Sequence, residues 1–256
     1  IQYRQTIVER DTLTTGDIRV SYHFVVAGDF DTRGMKLVAE QPGIWNVKFN
    51  GTPVEAAAPD TLLDSRFGIY PVGNLVRRGT NTVELSVSPM SIYAEIAPVY
   101  LFGDFALESA GAGWIVREPA GKPALGSWKR QGRPFYSWDM AYGRDYDIDD
   151  PAAGYTLRLR AWEGTLARVC VNGSKAGIIA WQPYAFDLTP YLRKGRNRVE
   201  VHVVGSLKNL FGPHYSADKG IAGPWHWNNV PKQLPGSDYD QRDYGLLEEF
   251  EIVMKE

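Results

Sequence analysis

Only one cysteine, Cys170, stands among the 256 residues. An internal disulfide is therefore excluded, and so is a cysteine-rich zinc site. No apolar run approaches the roughly 18 residues that a membrane-spanning helix needs. An excess of one charge sign is lacking too: 28 basic residues face 30 acidic ones. The resulting net charge of −2 and pI of about 6.1 argue against a dedicated nucleic-acid binder. HExxH, GxSxG, Walker and GxGxxG patterns are absent, and with them the local signatures of zincins, α/β-hydrolases and nucleotide-binding folds. Long stretches of helical period are missing as well.

What is present is the composition of a folded chain, 44% hydrophobic and 23% charged. Its length suffices for one large or two ordinary domains. Short runs of period-two alternation lie between glycines and prolines. Trp45, Val47 and Phe49 alternate with Asn46 and Lys48, and Val83, Leu85 and Val87 alternate with Glu84 and Ser86. Val99, Leu101, Phe105 and Leu107 form a further apolar set. Half-buried strands at this spacing predict antiparallel sandwiches.

The pattern occurs twice. VKFNG (47–51) matches VCVNG (169–173), each with the Asn-Gly pair that favours a tight hairpin turn. RRGTNTVELSV (77–87) matches RKGRNRVEVHV (193–203), and FGDFAL (102–107) is aligned with LEEFEI (247–252). The fold expected is all-β: two tandem jelly-roll sandwiches, residues 1–112 and 113–256, with the boundary at the GAG of 111–113. Val199, Val201 and Val203 should face the second core. Arg198, Glu200 and His202 should face outward, and Cys170 should pack inertly between Val169 and Val171.

The second copy carries a long insertion, 205–245, rich in aromatics and prolines. Its rings and polar groups make His214, Tyr215, Trp225, Trp227, Asn228, Tyr239 and Asp240 the candidate carbohydrate-binding residues. Sugars offer C–H patches to aromatic faces and hydroxyls to paired donors and acceptors. The same rings would equally serve to pin a long loop onto the sandwich. Carboxylates for glycoside hydrolysis come from distant positions, and Asp139, Asp187, Asp238, Asp240 and Asp243 are the candidates. DYDIDD (145–150) fails the calcium-loop test, with Asp150 where the turn needs Gly and Thr156 where the bidentate Glu belongs.

Three runs of the second copy carry a resemblance: GSWKRQGRPFYSWDMAYGRDYDI (126–148), VNGSKAGIIAWQPYAFDLTPYLRKGRNRVEVHVVGSLKNLFGPHY (171–215) and PGSDYDQRDYGLLEEFEI (235–252). They resemble the C-terminal part of large bacterial α-L-rhamnosidase-type glycoside hydrolases. Those enzymes carry galactose-binding-domain-like jelly rolls beside a catalytic barrel. The first copy is similar, more loosely, to the preceding jelly roll through WNVKFNG, GTNTVEL and VYLFGDFAL. The resemblance implies an oligo- or polysaccharide ligand, a catalytic domain of the same parent protein as partner, and a periplasmic or secreted location. It also allows a structural calcium ion, for which no ligands can be named. A barrel alone needs about 250 residues, so this chain has no room for one and no catalytic residue is carried over. The start at Ile1 favours a piece of a longer chain. The expected function is a non-catalytic, carbohydrate-associated region; the alternative is a free-standing glycosidase or polysaccharide-acting enzyme using carboxylates of the second domain.

Overall fold

The structure is a computed structural model that describes residues 16–57, 62, 64–91, 93–213 and 233–254. These form an all-β chain of two compact units. The strands of the first unit are β1 (Ile18–Val26), β2 (Lys36–Glu40), β3 (Asn46–Phe49), β4 (Thr52–Val54), β5 (Phe67–Pro71), β6 (Gly79–Val87), β7 (Tyr100–Phe102), β8 (Ala106–Ser109) and β9 (Trp114–Arg117). Those of the second are β10 (Asp139–Ile148), β11 (Tyr155–Arg158), β12 (Trp162–Glu163), β13 (Leu166–Val171), β14 (Ser174–Ile179), β15 (Ala185–Asp187), β16 (Gly195–Val204), β17 (Gly245–Leu246) and β18 (Glu251–Met254).

The first unit pairs its strands in the orders β4-β3-β6-β1-β9-β8 and β5-β2-β7. The second has β10-β16-β13-β14, β15-β11-β18 and the short pair β12-β17. With β8 and β9 of the first unit and the short pair β12-β17 of the second set aside, the two plans coincide strand for strand: each is a jelly-roll sandwich of a four-stranded and a three-stranded sheet. Each buries one core. Leu37, Phe49 and Val83 are among the most buried residues of the first, and Leu157, Val169 and Val201 of the second. Val199, Val201 and Val203 are each 0% exposed, while Arg198, Glu200 and His202 alternate outward between them. Cys170 also points outward, half-buried between its cross-strand partners Lys175 and Glu200.

The duplicated hairpins share an asparagine clasp. Asn50 and Asn172 both take φ of 51°, and Gly51 and Gly173 follow at 83° and 80°, the left-handed pair that the tight turn requires. Asn50 Nδ2 donates to Asn81 Oδ1 at 2.8 Å, and Asn172 Nδ2 to Asn197 Oδ1 at 2.9 Å. Asn81 and Asn197, both 0% exposed, each accept from the backbone N–H of Arg77 or Arg193 at 3.0 Å. Each then donates back to the carbonyls of the same turn. Fully satisfied amides of this kind are the polar groups that a core tolerates.

Two expectations are corrected. Trp114–Pro119 groups with the first unit, not the second. The cause is pairing: β9 adds to β1 in parallel, Val25 opposite Ile115 and Val26 opposite Val116. The closing strands also align differently. FGDFAL does not form one strand, because the turn at 103–105 separates β7 from β8. In the sheets, Leu101 stands opposite Leu37 as Ile252 stands opposite Leu157. Leu101, not Leu107, is therefore the partner of Ile252 in the repeat.

Candidate functional site

Of the candidate carbohydrate-binding residues, His214, Tyr215, Trp225, Trp227 and Asn228 lie outside the described residues. The described flanks of the long insertion, 205–213 and 233–245, fold onto the stretch 126–139. Asn209, 2% exposed, is the clasp. Its Nδ2 donates to the carbonyls of Pro134 at 3.0 Å and Arg242 at 2.9 Å, and its Oδ1 accepts from Arg242 N at 2.8 Å. Gln241 Nε2 donates to the same Pro134 carbonyl at 3.1 Å. Trp128 is 1% exposed, stands edge-on to Tyr136 at 5.4 Å and tilts against Tyr244 at 6.1 Å. Its Nε1 donates to Tyr142 Oη at 2.7 Å. Burial, with a smaller contribution from Asp139, raises the Tyr136 hydroxyl above its ordinary pKa.

Tyr239 and Asp240 belong to this framework. Tyr239 is buried, its ring at 6.1 Å and nearly perpendicular to Phe135, and its hydroxyl accepts from Gln233 Nε2 at 3.3 Å. A ring so placed has no free face for a sugar to stack on. Asp240 lies at the surface, with Lys208 Nζ 3.2 Å from its Oδ2. The same ammonium donates to the carbonyls of Asp240 and Gly212, both at 2.7 Å, and so ties one flank to the other.

The four remaining candidate carboxylates are engaged one by one. Asp139 Oδ2 accepts from Arg168 Nη2 and lies 3.3 Å from His202 Nδ1. Asp187 caps its own turn, accepting from Thr189 N at 3.0 Å and Thr189 Oγ1 at 2.6 Å. Asp238 accepts from Ser237 Oγ at 2.9 Å, and Asp243 accepts from Ser127 Oγ at 2.6 Å. His202 is less of a surface residue than its alternation suggests: its side chain is 21% exposed, and its Nε2 is buried without a partner. Among the described residues no group of three or more His, Cys, Asp or Glu is placed to hold a metal ion. The calcium ion that the resemblance allows thus has no carboxylate cluster to fit there.

One residue stands out that the sequence reading passed over. Trp181 is 76% exposed. It opens the turn between β14 and β15, which closes with Tyr184 N donating to Trp181 O at 3.2 Å. The far side of that turn is fixed, since Tyr184 stands edge-on to Trp162 at 5.4 Å and its carbonyl accepts from Leu159 N at 3.0 Å. Ile179, just before the turn, is 3% exposed. A large indole is therefore held in water on an anchored turn. The available signal was its setting: a Trp followed by Gln182 and Pro183, between two strands, where no core position falls.

No protein-family model matches the chain, and no curated protein matches it. Among solved structures it is similar to a rhamnosidase from Novosphingobium sp. PP1Y, at 18% identity and a TM-score of 0.35, over 91% of this chain and 24% of that one. It is similar to a β-D-mannosidase from Dictyoglomus thermophilum at 15% identity and a TM-score of 0.31, over 59% and 22%. An α-L-rhamnosidase from Streptomyces avermitilis, solved with L-rhamnose, matches at 13% identity and a TM-score of 0.29, over 76% and 22%. The chain spans about a quarter of the length of these proteins, and no site residue is transferred from them.

Proposed function

We propose that this chain is a non-catalytic, carbohydrate-associated β-sandwich region that binds glycan and supports a catalytic domain of a larger glycoside hydrolase of the α-L-rhamnosidase type, acting in the periplasm or outside the cell. Trp181 is the observation that carries the binding half of this reading. An exposed indole on an anchored turn loses little conformational freedom when a sugar ring stacks on it. The five candidate carboxylates, Asp139, Asp187, Asp238, Asp240 and Asp243, support the non-catalytic half, since each is already held by a cation, a hydroxyl or a turn.

The test is an affinity screen of the 256-residue chain against plant and bacterial polysaccharides, run beside a reducing-sugar assay. Retention on at least one polysaccharide without release of reducing ends is expected. Trp181→Ala should abolish or weaken that retention and leave the thermal unfolding midpoint where it was. Release of reducing ends by the purified chain would overturn the reading in favour of a glycosidase in its own right. Absence of any retention would leave only a spacer.

A further inference from the structure

We propose that an open groove along one edge of the second unit is a subsite for a neutral, hydroxyl-rich sugar; the inference rests on the glycan-binding reading above and gives it a second contact. The groove has a volume of about 490 Å³ and runs between β10, the edge of the four-stranded sheet, and β18 with its lead-in, the edge of the three-stranded sheet. Trp181 joins β14 to β15, the opposite edges of the same two sheets.

The lining suits a diol. Arg144 Nη1 lies 2.8 Å from Glu249 Oε2, and Arg160 Nη2 lies 2.6 Å from Glu251 Oε1. Each pair sets a guanidinium donor beside a carboxylate acceptor, the combination that two neighbouring sugar hydroxyls can engage at once. Tyr146, half-buried, also lines the groove, its ring 6.2 Å from that of the buried Phe250 behind it. The Arg144 guanidinium sits 5.5 Å from the Tyr146 ring centre. The cations are already neutralised by the glutamates beside them, so the groove has no unpaired positive charge with which to attract an anionic ligand.

The duplication supplies an independent control. In β1, Tyr22 stands opposite Val83, and in β10, Arg144 stands opposite Val199, so the two occupy the same place in the repeat. In the first unit Tyr22 packs against the core and its hydroxyl donates to the carbonyl of Ala97 at 2.5 Å. A ring bonded to the opposite wall fills that position. In the second unit the same position carries a long charged side chain, and the groove stands open. The copies have diverged where a ligand would enter.

The experiment is calorimetric titration of the intact chain with a panel of neutral and uronic-acid oligosaccharides, for the wild type, Arg144→Ala, Glu249→Gln and Trp181→Ala. Both groove side chains are more than half exposed, at 58% and 65%, so unchanged thermal unfolding is expected and confirms that the variants are folded. Each groove variant should weaken binding of a neutral oligosaccharide by about tenfold or more, the effect of losing one charge-assisted hydrogen bond. Neutral binding that is lost in Trp181→Ala yet unchanged in both groove variants overturns the groove and leaves the glycan-binding reading standing. A preference for uronic-acid ligands overturns the neutral class. No binding by the wild type overturns both.

Discussion

At the scale of single residues, two constellations make sharp predictions. Asp31 accepts from Arg33 Nε at 2.9 Å, from Arg33 Nη2 at 2.7 Å and from Arg33 N at 3.0 Å. The guanidinium hydrogen bonds, then the backbone one, hold its carboxyl down to about 2 from an ordinary 3.8. A lowered folded pKa means that this contact favours the folded state above the ordinary value and is lost as pH falls through about 2. An NMR titration of the Asp31 carboxyl should show that low midpoint, and Arg33→Ala should return it toward 3.8. Asn197 is the second case. Its amide ties Asn172, Arg193 and Gly195 in a position with no solvent access. Asn197→Ala should cost roughly 3 kcal/mol in urea unfolding, because buried donors and acceptors lose their partner together. Asn81→Ala should behave alike in the first unit, since its bonds are the same. The sequence announced these residues through the repeated Asn-Gly hairpins, but not that each asparagine pair closes on itself, which depends on chain 31 and 25 residues away.

At the scale of elements, alternation was a reliable guide where one face of a strand is core and the other is not. Val201→Ala should cost about 1–3 kcal/mol, through lost burial and the cavity left behind. Glu200→Ala, on the outward face of the same strand, should stay within about 0.5 kcal/mol by the same urea measurement. Equal effects would mean that the register of β16 is wrong by one residue. Short apolar runs were less legible. WIVR at β9 and FGDFAL carry no period that says which sheet receives them, and parallel pairing with β1 depends on a partner far back in the chain. The aromatic insertion was ambiguous for a related reason. Composition is the same whether a ring is a platform or an anchor; for Tyr239 the decision lies with Phe135 and Gln233, and the rings of 214–232 lie outside the described residues. Trp181 was missed because a lone ring in a short turn adds nothing to a count, whereas the anchoring of that turn through Tyr184, by Trp162 and Leu159, is visible only once the strands are paired.

At the scale of the whole molecule, the chain does not divide at a single point. It leaves the first unit after Glu108, passes through Ser109–Gly113, which belongs with the second, and returns for Trp114–Pro119. A cut at 112, where the composition changes, therefore takes a strand from one unit while separating nothing cleanly. A fragment 1–112 lacks β9, although Val116 is 3% exposed in the first unit, its carbonyl accepts from Ala27 N at 2.8 Å, and Arg117 pairs with Glu108 at 2.6 Å. Losing that strand removes about 2 kcal/mol of apolar burial and about 1 kcal/mol for the backbone bond, the exposed ion pair adding little. It also uncovers the edge of β1, a template for pairing with another chain. Fragment 1–119 should accordingly unfold at higher urea than 1–112, and only the shorter one should self-associate in size-exclusion chromatography. The second unit offers the mirror test. Gly113 N donates to Leu234 O at 2.8 Å, Gly236 N to Ala110 O at 3.2 Å, and Ser237 N to Ser109 Oγ at 2.7 Å. Fragment 109–256 should thus be more stable than 120–256 by roughly 1–3 kcal/mol, three modest hydrogen bonds less the cost of ordering the short segment. If 1–112 matched 1–119, and 120–256 matched 109–256, the interleaved division would be wrong and the simple tandem boundary at 112 would stand.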